Sequence, residues 1–594
     1  MAVQRYKAAL NNARFPLVST WGERAVILPA IDASQRSPRQ YQGSDENIDF
    51  NVPQVLYGEN FVPVSAGIKS VSYKQIIGPT VNRDFDQIFP LRDADENTVL
   101  YSPSHGQNYV YDSVAAAWSF ETCDAKYLAE SFYVASASTA TPATARVTRA
   151  YVEGKTFVCY GNIGLRTGSS SGPITADGSL FYWDPLTESL QTVRDLAYAT
   201  LIKNLDRLDR YGNRVLPDGE IGGIASSNGY LLIWSGLTVH WALWDGASFD
   251  FIEYAGGEVT GAGYQIPEDV KGPITALVPV TGGFIIFTTK NAVAAFYNSN
   301  NFASPWIFRQ ISNAGGIESY EQTTEDANLG AIYAHTTGGL QRITLNAAET
   351  SFPDVTDFLG LRLQETFNPS SLQFERGLVT ADFFTKLSFC GQRFLVISYG
   401  TYPGIYSYAL VYDAELKRWG KLRLAHRDCF AYSYGSQEAP LTYAMLGDVP
   451  YEDMDTIAYE DAVIAGGNLT YPRQSVAFLL ETGEVKLAVM DTREPEDDSQ
   501  AFVLLGRFQL TRSRLSTLHE VEIEGLVAGG TVGVLRSTNG RTFASSELGY
   551  LREQSEDFAE YGFDMVTGKN FTLFVKGNFY LSSAILHVTN DGSY

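Results

Sequence analysis

Cysteine is scarce in this chain. Only 4 occur in 594 residues, at Cys123, Cys159, Cys390 and Cys429, and no two form a CxxC pair. That spacing excludes a zinc finger or ribbon and gives no disulfide framework; it reads as small buried hydrophobes in a protein made in a reducing compartment. Basic residues are outnumbered, 44 Lys and Arg against 67 Asp and Glu, for a net charge of −23. A surface that grips nucleic acid needs clustered Lys and Arg, so this balance argues against one; it does not argue against a surface that nucleic acid slides past. Charge of either sign is thin at 19%, which predicts that part of the surface is covered by partners. No apolar run approaches the roughly 20 residues of a membrane helix. Met1 to Leu10 lacks the apolar core of a signal peptide, so neither a span nor a leader is expected.

The motifs of chemistry are also missing. There is no GxxxxGK[ST] phosphate loop and no GxSxG elbow. The 6 histidines, His105, His240, His335, His426, His519 and His587, are scattered, and a lone histidine in a strand is more often structural than a ligand. The acidic run at Tyr451–Asp455 with Glu460 and Asp461 does not have EF-hand spacing and reads as a solvated loop. Carboxylates are numerous enough for a glycosidase pair, but nothing selects two of them. The expectation is therefore no enzyme, with no catalytic, cofactor-binding or metal residue.

What is present is aromatic and glycine-rich: 35 Tyr, 34 Phe and 53 Gly, a mix that favours strands and tight turns. A pattern recurs in it: an aromatic, then Asp, then a large apolar residue six positions after the Asp. Tyr111-Asp112 leads to Trp118, Trp183-Asp184 to Leu190, Trp244-Asp245 to Phe251, and Tyr412-Asp413 to Trp419. Looser copies are Tyr297-Asn298 with Trp306 and Leu345-Asn346 with Phe352; the Asp/Asn intervals are 72, 61, 53, 48 and 67 residues. Each copy ends a strand-like run. The Asp side chain can bond the backbone two residues on, and the later apolar residue returns on the next strand to pack across the hairpin. One hairpin buries little alone, so such units must pack in a ring. The predicted fold is all-β, a β-propeller of about six to seven blades.

The predicted division is an N-terminal arm with the first strands at 1–97, a propeller at 98–491 and a C-terminal β-sandwich-like domain at 501–594. Three insertions break the rhythm. Residues 132–150 form an Ala/Ser/Thr-rich loop and 433–473 a long acidic one. Residues 187–212 read as a helix, with Tyr198, Leu201, Ile202, Leu205 and Leu208 on one face and Gly212 as its stop. Ser537–Phe543 resembles an Asp-box hairpin but is read as an ordinary Asn-Gly turn.

The layout resembles the bacteriophage tail nozzle family, also called tail tubular protein B or the tail hub of short-tailed phages. The resemblance rests on Asn51-Val-Pro-Gln-Val-Leu-Tyr-Gly58 and Ala66-Gly-Ile-Lys-Ser-Val71, which look like the approach to a first blade. It rests also on Gly223 to Trp234, Val239 to Phe249, Gly272 to Leu277, Gly282 to Thr288 and Trp306 to Arg309 as central blades. Gly506-Arg-Phe and Arg536 to Phe543 look like the terminal domain. The aromatic-Asp rhythm is also similar to kelch propellers, which speaks to fold and not to function. The resemblance implies a structural virion protein, assembled in the host cytoplasm, that forms a homohexameric ring in the tail. An adaptor would lie above it and tail fibre or needle proteins nearby. Double-stranded DNA would pass through without specific binding, repelled by acidic walls. The alternative is a receptor- or glycan-binding propeller, a spike; a propeller hydrolase is the third class.

Overall fold

A computed structural model describes residues 3–14, 31–32, 47–50, 55–79, 87–94, 98–104, 107–112, 117–121, 146–161, 180–193, 200–205, 221–326, 330–353, 355, 359, 363–368, 373–378, 384–391, 393–402, 404–434, 473–490, 500–509, 515–537, 545–555 and 557–590. The loop read at 132–150 falls outside them up to 145, as do most of the acidic insertion at 433–473 and most of the hairpin at Ser537–Phe543.

The chain is an all-β propeller joined to a β-sandwich-like domain. Six four-stranded sheets stand free. In chain order of their inner strands, blade 1 is Phe89–Arg92, Thr98–Ser104, Gln107–Asp112 and Ala117–Glu121. Blade 2 is Arg146–Val152, Lys155–Gly161, Leu180–Asp184 and Ser189–Thr192. Blade 3 is Gly223–Ser227, Tyr230–Ser235, Thr238–Leu243 and Gly263–Gln265. Blade 4 is Ile274–Val280, Gly283–Thr288, Asn291–Tyr297 and Trp306–Gly315. Blade 5 is Thr323–Glu325, Ile332–Thr336, Gly339–Ile343 and Ala348–Thr350. Blade 7 is Asp428–Tyr434, Arg473–Leu479 and Val485–Val489, with Ser72–Ile77 as its outer strand. Between blades 5 and 7 lies blade 6, Phe384–Cys390, Phe394–Gly400, Tyr406–Asp413 and Arg418–His426, which is continuous with the terminal domain's sheet.

The blades bury both faces against their neighbours. Tyr230–Ser235, Gly283–Thr288 and Phe394–Gly400 are buried at every position, which is why these strands read as continuous apolar runs without alternation. The outer strand Trp306–Gly315 is exposed at half of its positions and buried at only two. Separate apolar cores fill the gaps between successive blades, including Leu91, Tyr101, Phe181 and Trp183 between blades 1 and 2. Ile88, Leu100, Phe430 and Leu479 close the ring between blades 7 and 1. The Asn228-Gly229 turn has φ 50° and 82°, the left-handed pair that a two-residue hairpin requires.

The terminal domain uses both ends of the chain. Strands Ser516–Ser537 and Asn570–Asn590 pair antiparallel along most of their length. Their register shifts at Gly525, where an added Cβ would strike the Tyr580 carbonyl. Gln4–Ala9 pairs with residues 583–588, and Val55–Glu59 pairs with Phe502–Gln509. Tyr6, Ala8 and Leu10 join Val503, Val521, Ile523, Leu573 and Leu586 in one core. The described residues within 1–97 are thus not an arm beside the domains. They supply strands to the terminal domain, the outer strand of blade 7 and the inner strand of blade 1, so the propeller starts before residue 98. Exposed backbone in the last blade and the terminal sheet draws these strands in, whatever their local composition.

The helix expected at 187–212 is absent among the described residues. Ser189–Thr192 is a strand of blade 2, and Ile202–Lys203 pairs parallel with Phe249–Asp250. Phe249 N–H donates to Leu201 O at 2.8 Å and Phe251 N–H to Lys203 O at 3.0 Å. These bonds to an open edge override a modest helical preference, while Ile202 and Leu205 still bury their side chains.

The two domains are joined by hydrogen-bonded sheet. The hairpin Phe61–Val64 and Gly67–Ser70 pairs with Lys421 of blade 6 on one side and with Tyr580 and Leu581 on the other. Arg418, buried at the seam, donates to the carbonyls of Leu10, Val64 and Gly67.

Candidate functional site

The repeat residues lie at one turn of each of blades 1 to 6, between the third and fourth strands. Tyr111 stands opposite Trp118, Trp183 opposite Leu190, Tyr412 opposite Trp419 and Tyr297 opposite Trp306. The third copy departs from the spacing: Trp244 bridges Phe249, with ring centroids 5.0 Å apart, while Phe251 is buried in the same core without that bridge. In the loosest copy Phe352 packs on Tyr412 and Trp419 of the next blade. Asp184 accepts from Leu186 N–H at 3.0 Å, Asp245 from Ala247 and Ser248 at 2.8 and 2.6 Å, and Asp413 from Glu415 and Leu416 at 2.9 and 3.0 Å. Backbone bonds from Ala247 and Ser248 hold the Asp245 carboxyl below its usual range. The side chain of Asp112 lies outside the described residues. Trp118 donates to Gly483 O of blade 7 and Trp183 to Arg92 O of blade 1, so these two indoles also tie neighbouring blades together. The repeat residues are distributed around the ring and do not converge on a site.

The groups that do converge come from different blades at one end of the propeller axis. Lys386, on the inner strand of blade 6, meets Asp428 of blade 7 at 2.8 Å and Glu321 at 3.4 Å. Glu321 sits in the 3-10 turn Tyr320–Gln322 that leads into blade 5, capped by Ser319 and Gln322. It also accepts from Gln87 Nε2 at 2.9 Å and Tyr406 OH at 3.2 Å. Asp428 accepts the N–H of Ile88 at 2.9 Å. Because Gln87 precedes blade 1 and Glu321 precedes blade 5, their bond joins blades that are not neighbours in the ring. Burial pulls the Lys386 amine down, but Asp428 and Glu321 outweigh it and hold the amine above its usual range. Burial likewise pushes Glu321 up, and Lys386 together with the hydrogen bonds from Gln87 and Tyr406 more than reverses it. Nearby, Glu325 is pushed up to about 7 by burial, against the pull of Arg149. Arg149 donates to Pro90 O at 2.8 Å. The cluster holds fixed charges in mutual balance; Glu325 is the member poised to change protonation near neutral pH.

Two other groupings have the residue types of chemistry. Ser398 Oγ and His426 Nε2 lie 2.7 Å apart, as in a nucleophile and its base. Both are sealed between blades 6 and 7, at 0% and 2% exposure, where a substrate cannot reach. On the terminal domain Glu520, Glu522 and His587 place ligand atoms within 4.8 Å of one another. Arg5 already donates to both oxygens of Glu522 at 2.9 and 2.7 Å, and Arg552 to Glu520 at 2.7 Å, so cationic side chains hold the places a metal would take.

Sequence reasoning did not find the axial cluster, whose members carry no motif and stand up to 340 positions apart in direct bonds. The Glu520-x-Glu522-x-Glu524 alternation was visible as strand texture, and Arg5-x-Lys7 has the same period; their pairing depends on a sheet formed by the two chain ends.

No protein-family model matches this chain, and no curated protein matches its sequence. Among solved structures, the extracellular domain of a one-component system from B. thetaiotaomicron is similar with a TM-score of 0.36 at 10% identity, covering 93% of this chain and 64% of that one. YCF48 from Cyanidioschyzon merolae is similar with a TM-score of 0.33 at 11% identity, over 70% of this chain and 98% of that one. Dihydro-heme d1 dehydrogenase in complex with DHE is similar with a TM-score of 0.28 at 10% identity, over 62% and 61%.

Proposed function

We propose that the protein is a structural subunit of a phage tail, a nozzle-type ring through which double-stranded DNA is held and released. The observation that carries this reading is mechanical. Blade 6 runs into the terminal domain through paired strands, and residues from the N-terminal segment complete both bodies, so load passes through hydrogen-bonded sheet. The Gln87–Glu321 bond ties the entry to blade 1 to the entry to blade 5, and the DNA path in this reading runs between copies of the chain. A net charge of −23 suits walls that repel phosphate.

The test is the copy number of this chain in purified particles, by quantitative mass spectrometry against the portal protein. A fixed stoichiometric ratio supports the reading, and absence from the particle overturns it. Within such particles, changing exposed carboxylates singly to Lys, beginning with Glu553 and Asp564, is expected to slow genome ejection at the positions that face the lumen while assembly continues. Unchanged ejection kinetics across the whole series would count against an acidic lumen. A glycan-binding role has one specific support. Tyr254 and Phe302 are exposed near the rim of blades 3 and 4, and Phe302 is packed on Gly261. A glycan array separates the two readings, since a nozzle should be silent on it.

A further inference from the structure

Where blades 6 and 7 meet at the axis, an amine and a carboxyl are held in contact beside a second carboxyl. Lys386 comes from the strand Phe384–Cys390, Asp428 opens the strand Asp428–Tyr434, and Glu321 sits in the turn Tyr320–Gln322. Lys386 Nζ is 2.8 Å from Asp428 Oδ1, and the two side chains are 11% and 7% exposed. The resting pair is ionic. Two charges withdrawn this far from water are costly, and moving one proton from the amine to Asp428 Oδ1 removes both without changing the net charge. Burial already raises the Asp428 carboxyl above its usual range. What remains is a neutral amine, a nucleophile, held against a protonated carboxyl. Asp428 Oδ2 accepts the Ile88 N–H at 2.9 Å, a fixed donor at the atom where an oxyanion would form. Glu321 Oε1 is 3.4 Å from the same amine, placed to take a proton from it. Gln87 Nε2 at 2.9 Å and Tyr406 OH at 3.2 Å hold Glu321 in position. No substrate has to enter. Only a water has to leave, and the Glu321 side chain is 28% exposed, so the site is not sealed on that side.

We propose that Lys386 and Asp428 condense into an intramolecular amide, an isopeptide bond between blades 6 and 7, with Glu321 relaying the proton. The ammonium of Lys386 first gives one proton to Asp428 Oδ1. The amine nitrogen then attacks the Asp428 carboxyl carbon and forms the C–N bond, while the developing negative charge on Oδ2 is met by the Ile88 N–H. Glu321 takes a proton from the nitrogen and delivers it to the Oδ1 hydroxyl. The C–Oδ1 bond breaks, water leaves, and Oδ2 becomes the amide carbonyl. Three hydrogens enter on the ammonium; one stays on the amide and two leave in the water. Nothing is oxidised or reduced, and Glu321 ends as it began. The product replaces an ion pair by a covalent strap. It fastens blade 6, which carries the terminal domain, to blade 7, whose outer strand Ser72–Ile77 comes from the other end of the chain. The proposal does not depend on the tail reading.

The test is mass spectrometry of the full-length folded protein, incubated in neutral buffer and then denatured. The expected result is an intact mass one water below that of the sequence. Trypsin should leave Lys386 uncut and release a branched peptide joining it to Asp428. Lys386→Arg should show the full mass of its sequence. Glu321→Gln, which keeps the size of the side chain but cannot carry the proton, should stay unlinked over the same incubation while its circular dichroism matches the parent. A parent chain of full mass with Lys386 cleaved by trypsin means an ion pair only and overturns the proposal. So does a loss of water without the branched peptide, or a branch at another residue. A link that forms as fast in Glu321→Gln overturns the relay. If either variant does not fold, the branched peptide in the parent chain decides alone.

Discussion

Asp413 does three things at once in a site of 1% exposure: it caps two turn amides and accepts from Arg393 at 2.6 Å. Asp413→Ala would leave two turn amides without their acceptor and take the closer carboxylate from Arg393, which keeps Glu415 at 3.4 Å, a loss on the order of 3 kcal/mol. The apparent Tm should fall by several degrees, as differential scanning fluorimetry would record. At Glu325 the sign runs the other way. Its carboxyl is held protonated up to about 7 in the fold, against 4.5 for the unfolded chain. The folded state therefore binds more protons between those values, so its contribution is complete below 4.5 and is lost as pH rises through about 7. His426 opposes it, since a ring kept neutral down to about 4 makes the fold less stable as pH falls from the ordinary histidine range toward 4. Glu325→Gln should remove the decline between pH 4.5 and about 7 and leave the loss toward pH 4. Melting curves from pH 4 to 9 test this, and an unchanged profile would show that Glu325 titrates normally.

At the scale of elements, the blade is the legible unit. The aromatic-Asp spacing located the turn between third and fourth strands in blades 1, 2 and 6 because a short turn and an antiparallel register leave little freedom. It missed by two residues in blade 3, where Phe249, not Phe251, meets Trp244. There the fourth strand is displaced to Gly263–Gln265, and the segment between bonds instead to Leu201 and Lys203. The described parts of the helix expected at 187–212 are strand for the same reason, since an open sheet edge offers backbone bonds that apolar spacing does not reveal; Tyr198, Leu208 and Gly212 lie outside the described residues. Ring closure follows from Ser72–Ile77 lying against Val485–Val489. A chain limited to 98–491 would lack that strand and the inner strand of blade 1. It should be aggregated or rapidly proteolysed, whereas a chain beginning at residue 1 should not. Gel filtration and limited trypsin digestion would distinguish them.

For the whole molecule, composition and repeat were enough for the class: an all-β ring of strand-turn-strand units with a further β-domain. These features are local, and each blade repeats them. The blade count, the sharing of the N-terminal segment between two bodies, and the axial cluster of Gln87, Glu321, Lys386 and Asp428 were decided by tertiary structure alone. A propeller brings inner strands from distant parts of the chain to one axis, and a charge placed there has no sequence neighbour to announce it. The same holds for Ser398 and His426, 28 positions apart in the sequence and 2.7 Å apart in the fold.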